Sequence, residues 1–197
     1  MNIVIIQYNA GNIQSVLYAL ERLGVQAMVT DNVELIQKAD KVIFPGVGEA
    51  STAMHYLKER GLDSVIQNLK QPVFGICLGM QLMCAYSEEN NTSCLGIFEE
   101  QVKLFKPTDS STKVPQIGWN TIGSLKTNLF KGVSEESYAY FVHGYYAALG
   151  AHTIATTQYI QPYSSALQKN NFYGVQFHPE KSAKLGEQII QNFLNIL

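Results

Sequence analysis

The sequence predicts an α/β protein with a mixed, mainly parallel central sheet flanked by helices and additional antiparallel strands in its second half. Two features of pattern and one of composition predict it. Up to Ala85, short apolar runs alternate with segments of helical periodicity, the order that builds a parallel sheet with functional loops at the carboxyl ends of its strands. From Leu95 onward, strand-like runs follow one another between turn residues, as in antiparallel pairing. A hydrophobic content of 46% against 15% charged residues is enough to cover both faces of such a sheet.

Residues 2–8 read as a buried strand, and Asn9-Ala10-Gly11-Asn12 as a turn that can cap a helix. Val16, Leu17, Leu20 and Leu23 then recur at helical spacing, with Gly24 as the stop. A strand over 25–30, a short helix from a cap at Asp31 to Ala39, and a strand over 41–44 complete a β-α-β-α-β unit. Ser51 is expected to cap a helix to Arg60, Gly61 to end it, and residues 62–69 to form a second helix leading to the central strand. After a polar loop over 90–93 come strand-like runs at 101–105, 117–122, 138–146, 152–158, 164–168 and 172–177, with Asn170-Asn171 as a tight-turn pair. Residues 183–197 form an amphipathic helix with Ile189, Ile190, Phe193 and Leu197 on its buried side. With no internal repeat and no linker, residues 1–197 are expected to form one domain.

Composition narrows the class of function. A net charge of −2 gives no reason to expect nucleic acid or an anionic membrane as a partner. The N-terminal Met1-Asn2-Ile3-Val4-Ile5-Ile6 lacks a basic leader, and no apolar run is long enough to span a bilayer, so a soluble cytoplasmic protein is expected. Cys77, Cys84 and Cys94 are odd in number and form no C-x-x-C pair, which argues against a disulfide framework or a zinc site.

The stretch from Gln71 to Gln81 carries the first half of the chemistry. A short apolar run enters Gly75-Ile76-Cys77-Leu78-Gly79, and a helix is expected from Met80. The G-x-C-x-G spacing is the thiol form of a nucleophile elbow, in which the central residue sits at a strained tip and small flanking residues let the neighbouring backbone pass. A thiol there sees unpaired N–H groups, which favour its thiolate, and the Leu78 N–H points where an oxyanion would form. The same residues also fit a small buried side chain in a tight space, and on this stretch alone the two readings stand level.

The second half lies in Gln176-Phe177-His178-Pro179-Glu180. Proline keeps His178 extended, so that His178 and Glu180 can project to the same side, the carboxylate on one ring nitrogen and the other free to take a proton from a thiol. His55 and His152 are expected to be solvated, and His143, among aromatics in a strand, is the rival base. Cys84 is expected in the core and Cys94 in a polar loop. Pro45-Gly46-Val47-Gly48, directly after a strand, is a loop that can approach a ligand or rotate a peptide. It lacks the Lys-Ser/Thr of a phosphate loop and the third glycine of a dinucleotide fingerprint.

The order P-G-V-G, G-I-C-L-G-M-Q and H-P-E-K-S resembles the class I, triad-type glutamine amidotransferases, most closely the glutaminase subunits of imidazole glycerol phosphate synthases. Gly11-Asn12, Val114-Pro115-Gln116-Ile117-Gly118-Trp119-Asn120 and Tyr140-Phe141-Val142-His143-Gly144-Tyr145 extend the likeness along the whole chain. The resemblance implies a flavodoxin-like fold and hydrolysis of glutamine to glutamate and ammonia. Cys77 would attack, His178 shuttle the proton, and Glu180 hold the imidazole. Leu78 N–H and, after a peptide flip, Val47 N–H would stabilise the oxyanion. Gln81 and Glu89 would hold the amino-acid end of glutamine, and Gly46, Gly48, Gly144 and Tyr145 line its site. No metal or organic cofactor is implied. Ammonia would pass to a (β/α)8-barrel cyclase subunit in a heterodimer, met by Asn12, Gln116, Trp119 and Lys181. Activity would stay slight until that partner and its ligand reshape the P-G-V-G loop. The chain departs from the usual family pattern at Gln7-Tyr8-Asn9, Glu49-Ala50, Gln116 and Gly144. A paralogue feeding a sugar-aminating synthase and a stand-alone flavodoxin-like cysteine hydrolase remain the alternatives.

Overall fold

A computed structural model describes residues 1–9, 12–107 and 112–196. The first strand, β1 (Ile3–Ile6), is wholly buried because its side chains alternate between two cores: Val4 and Ile6 face one side of the sheet, Ile3 and Ile5 the other. The expected turn residues Ala10 and Gly11 lie outside the described residues. Helix α1 (Ile13–Arg22) buries Val16, Ala19 and Leu20, and Gly24, at φ +72°, takes the left-handed turn after it. β2 (Ala27–Thr30) pairs parallel with β1.

Two caps differ from expectation, for the same geometric reason. Helix α2 (Val33–Lys38) is capped by Asn32, whose side chain accepts from the Leu35 N–H, and not by Asp31, which sits one residue too early and pairs with Arg60 at 2.8 Å. After β3 (Lys41–Gly46), which keeps Pro45-Gly46 within the strand, helix α3 (Ala50–Glu59) is capped by Glu49. Ser51 already lies inside the first turn, where Glu49 accepts its N–H at 2.7 Å and that of Thr52 at 2.9 Å. These bonds outweigh the effect of burial and hold the Glu49 carboxyl down at about 2. Gly61 turns the chain into α4 (Leu62–Gln67).

β4 (Val73–Cys77) and α5 (Leu78–Met83) follow directly upon one another. A short strand, β5 (Tyr86–Ser87), precedes the expected polar loop and another, β6 (Thr92–Ser93), lies within it, before β7 (Gln101–Leu104). β8 (Gln116–Ile122) and β9 (Ser137–His143) pair antiparallel as a separate two-stranded sheet. β10 (Tyr145–Ala147), β11 (Thr153–Tyr159), β12 (Gln161–Lys169) and β13 (Phe172–Val175) belong to the main sheet, and α6 (Ala183–Leu194) packs on it last. The run 138–146, expected as one strand, is thus two, because the chain passes from the small sheet to the main one at Gly144.

The main sheet has the order β2-β1-β3-β4-β13-β12-β10-β7-β5-β6, with β11 on β12. The neighbours from β2 to β13 are parallel, and β12, β10 and β7 then alternate antiparallel, as the change of pattern near Leu95 predicts. Ile36, Leu57, Ile66 and Leu82 from α2 to α5 fill the core on one face, while Leu20 and Phe193 from α1 and α6 fill the other. Phe74 of β4 stacks on Phe193 with ring centroids 4.8 Å apart, and burial of such a ring contributes roughly 2 kcal/mol. Ile189, Ile190 and Phe193 of α6 are buried as expected, and Leu197 lies outside the described residues. Among the described residues, no helix is long and apolar enough to cross a membrane. The carboxyl ends of three neighbouring strands, β3, β4 and β13, therefore bring Gly46, Cys77 and the segment after Val175 to one edge of the sheet.

Candidate active site

β4 ends at Cys77 with φ +53° and ψ −110°, a conformation that side-chain-bearing residues rarely adopt. Two glycines make this tip feasible. A Cβ on Gly79 would lie 1.8 Å from the Phe44 carbonyl oxygen of β3, so only glycine lets α5 come this close to the neighbouring strand. A Cβ on Gly46 would lie 2.1 Å from the hydroxyl oxygen of Tyr8, which donates to the Pro45 carbonyl at 2.7 Å. Helix α5 starts at Leu78, two residues before the expected start at Met80, so that strand passes into helix without an intervening loop. The Cys77 sulfur lies 3.9 Å from the Val142 carbonyl oxygen and 3.7 Å from the side-chain nitrogen of Gln176.

Beyond β13 the chain reaches His178, which is extended at φ −98° and ψ 96°, as its following proline demands. Glu180 reaches it differently from expectation. It stands in a 3-10 turn, Pro179–Lys181, and that turn folds its Oε1 back to His178 Nδ1 at 2.8 Å. The His178 N–H donates to the Tyr140 carbonyl, and Ser182 Oγ donates to the His178 carbonyl, so the backbone of the turn is fixed from both sides. Both side chains of the pair are almost wholly buried. Burial alone would lower the imidazole's pKa, but hydrogen bonds to Cys77 and Glu180, and the charges of both, outweigh it and raise it to about 10.

His143, the rival base, is buried and differently engaged. Its Nδ1 is 2.7 Å from the Tyr145 carbonyl oxygen, which can only accept, so Nδ1 carries the proton; Nε2 lies 3.3 Å from the Tyr163 hydroxyl. Burial, aided by the charge of His178 and only partly offset by the bond to Tyr145, lowers its pKa to about 4. The ring is neutral near pH 7, with its Nδ1 engaged by the Tyr145 carbonyl. His55 is exposed beside Glu59. His152, expected in solvent, is instead largely covered: its ring packs 6.1 Å from that of Phe98, and its backbone N–H donates to the buried carboxylate of Glu100. Cys84 is buried against the Met80 carbonyl, and burial raises its pKa; Cys94 is partly buried, and burial pushes its pKa up to about 12.

A cleft of about 240 Å³ opens at the Cys77 tip. Of the residues singled out in the sequence, Cys77, Leu78, Val47, Gly48 and Gln81 line it, as do Glu89, Gly144, Tyr145, His178 and Lys181. Gly46 is the buried end of β3, and Glu180 stands behind His178. Glu89 is half-buried, its Oε2 accepting the Ala50 N–H at 2.8 Å, and its pKa is raised, chiefly by burial. A larger cleft of about 890 Å³ between Lys131 and Asn192 is lined by neither a cysteine nor a histidine, so size does not locate the chemistry. Among the described residues, no three His, Cys, Asp or Glu side chains gather in a way that could hold a metal ion.

Of the four residues expected at a partner surface, Trp119 and Lys181 are exposed, and Asn12 is half-buried, its Oδ1 accepting from Ser15 Oγ at 2.6 Å. Gln116 is 3% exposed and its side chain faces inward, where Tyr163 donates to it at 3.1 Å; that expectation is corrected by the alternation of β8, which turns Ile117 and Trp119 outward instead. Ile117 and Tyr138 add to the exposed apolar surface of the small sheet. Sequence reasoning missed Gln176, fully buried between Cys77 and Gln81; its signal was its place two residues before His178 in an extended run.

The family described as glutamine amidotransferase class-I matches residues 4–197. The chain is 59% identical over 196 residues to the imidazole glycerol phosphate synthase subunit HisH of Bacteroides fragilis, and the match covers the whole of both chains. It is 57% identical over 196 residues to the HisH subunit of Bacteroides thetaiotaomicron, again over both whole chains. Against the HisH subunit of Pasteurella multocida it is 47% identical, covering 98% of this chain and 97% of the relative. The solved structure of a putative GMP synthase protein from Thermoplasma acidophilum superposes with a TM-score of 0.75 at 19% identity, covering 98% of this chain and 92% of that one. At that identity the likeness shows the fold alone.

Proposed function

The chain belongs to the class-I glutamine amidotransferase family, and on that premise we propose that it is the glutamine-hydrolysing subunit of an imidazole glycerol phosphate synthase, supplying ammonia to a cyclase subunit in histidine biosynthesis. One observation carries the chemistry: a buried imidazole holds a carboxylate on one nitrogen and faces a thiol at the tip of a strained strand end, beside a small cleft.

With His178 Nδ1 taken by Glu180, the other ring nitrogen exchanges the proton with Cys77. The thiolate attacks the side-chain amide carbon of glutamine. The C–N bond breaks as His178 returns the proton to the departing nitrogen, which leaves as ammonia; water deprotonated by His178 then opens the thioester to glutamate and restores the thiol. The Leu78 N–H, first of its helix and so without an intrahelical acceptor, holds the oxygen of the tetrahedral intermediate. The Val47 N–H joins it after rotation of its peptide, in a loop where Gly48 already stands at φ +119°. Glu89 holds the α-ammonium group and Gln81 helps to fix the amino-acid end, with Gly144 and Tyr145 beside them.

Ammonia passes to a (β/α)8-barrel partner that covers the exposed face of the small sheet around Trp119, together with Asn12 and Lys181. Glutamate release from glutamine, measured with the purified protein alone and then with the cognate cyclase and its nucleotide substrate, tests the proposal. Cys77→Ala serves as the blank. Strong stimulation by the complex that depends on Cys77 is the expected result, and turnover indifferent to the cyclase would overturn the assignment.

A further inference from the structure

We infer that Gln176 is a further catalytic residue: its carboxamide donates a hydrogen bond to the Cys77 sulfur, and Gln81 with the Tyr145 carbonyl fixes which way that carboxamide faces. The inference rests on Cys77 being the nucleophile.

The orientation follows from one group that cannot change roles. A backbone carbonyl only accepts, so the Tyr145 oxygen, 2.9 Å from the Gln81 side-chain nitrogen, compels Gln81 to present its NH2 group. The same NH2 reaches the Gln176 side-chain oxygen at 2.9 Å. With its oxygen occupied there, Gln176 turns its own NH2 to the sulfur, at 3.7 Å. The residue cannot drift, since it is fully buried and its backbone N–H is bonded to the Ser165 carbonyl at 2.9 Å.

Besides His178, the sulfur therefore meets two groups with opposite preferences. The Val142 carbonyl at 3.9 Å accepts from the neutral thiol, whereas the Gln176 amide donates and favours the thiolate. When His178 takes the proton, the bond to Val142 is lost and the bond to Gln176 strengthens. The His178 imidazole and the phenols of Tyr8 and Tyr163 also lie close enough to influence the sulfur electrostatically. Burial keeps both phenols neutral, and their hydroxyls donate to the Pro45 carbonyl and to Gln116, whereas the Gln176 amide faces the sulfur and answers the new charge. Its other consequence is for substrate. Gln81 spends both N–H groups on this relay, which leaves its side-chain oxygen as the atom able to meet a ligand in the cleft.

The test is the pH dependence of Cys77 alkylation by iodoacetamide, with Cys77→Ala to subtract Cys84 and Cys94. A hydrogen bond to a charged group is worth about tenfold, so Gln176→Met should move the alkylation midpoint up by about 1 pH unit. On the same grounds it should lower kcat about tenfold with KM changed less than about twofold. Gln176→Glu keeps the oxygen that Gln81 needs but sets a second oxygen against the sulfur, and should move the midpoint further than Gln176→Met. Gln81→Met leaves Gln176 in place but frees its amide to turn, and should give a smaller upward shift. A midpoint unmoved in folded Gln176→Met, or moved no further in Gln176→Glu, overturns the inference. If neither Gln176 variant folds, an unmoved midpoint in Gln81→Met does so. Absence of Cys77-dependent alkylation and glutamate release in the unsubstituted protein would instead sink the glutaminase reading itself.

Discussion

Replacing Gly79 by alanine tests the packing on which the whole site stands. The added methyl would sit 1.8 Å from the Phe44 carbonyl oxygen and 2.9 Å from its carbon, while contacts under 3.0 Å are essentially never seen for a real Cβ. The difference between 3.0 and 1.8 Å requires a retreat of at least 1.2 Å. Phe44 cannot supply it, because its strand is paired on both sides, with β1 and with β4, and its ring is fully buried. Helix α5 must move instead, and Cys77 and the Leu78 N–H move with it. Overpacking of this kind costs about 3 kcal/mol, and a displacement near 1 Å at a reacting group costs about a hundredfold in rate. Urea unfolding followed by tryptophan fluorescence and circular dichroism should show the first loss, and glutaminase activity with the cyclase present the second. A Gly79→Ala protein within about 1 kcal/mol of the parent and within about threefold of its activity would refute the argument that this glycine exists for close approach.

Three further outcomes follow from the site. The unfolded chain binds a proton at His143 below about pH 6.5, whereas the folded chain does so only near pH 4, so stability is full above 6.5 and falls as the pH drops toward 4. The 2.5-unit gap between those values corresponds to roughly 3 kcal/mol, and His143→Gln should remove that acid-side dependence from urea titrations at pH 7 and pH 4.5. The raised pKa of His178 has the opposite sign: its protonated form persists until the pH rises through about 10. Glu180→Gln keeps an oxygen near Nδ1 but removes the charge, and should bring the alkaline limb of the kcat/KM profile down by about 1 unit or more; an unmoved limb would mean that Glu180 does not hold the imidazolium. Trp119→Ala, at a residue 52% exposed, should leave stability within about 0.5 kcal/mol yet weaken cyclase binding in a titration calorimeter, and unchanged affinity would remove this face from the interface.

Much of the site could be read from the chain because its parts obey local rules. Cys77 between glycines at a strand end, and a proline that keeps His178 extended, are constraints on a few adjacent residues, and each appears in the structure where the spacing puts it. The order of elements was legible for the same reason, since helical and strand periodicities differ. What escaped was set by where a helix begins or by partners distant in sequence. Nothing beside Asp31 or Ser51 says that the capping oxygen is supplied by Asn32 or by Glu49, because that depends on where the first turn begins. The break at Gly144 exists because two sheets compete for one run of strand-forming residues. The inward turn of Gln116 depends on Tyr163, 47 residues away, and the burial of His152 on Glu100, 52 residues away.

β13 lies against β4 although the two are nearly a hundred residues apart, Cys77 and Gln176 being separated by 99 positions. Gln176 and His178, which face the thiol, are therefore synthesised about a hundred residues after it. On the proposed mechanism, a growing or half-folded chain carries the sulfur without its base and releases no ammonia until β13 is in place. Appearance of glutaminase activity during refolding would then time one long-range event, the docking of β13 beside β4, in a protein whose local segments form much sooner.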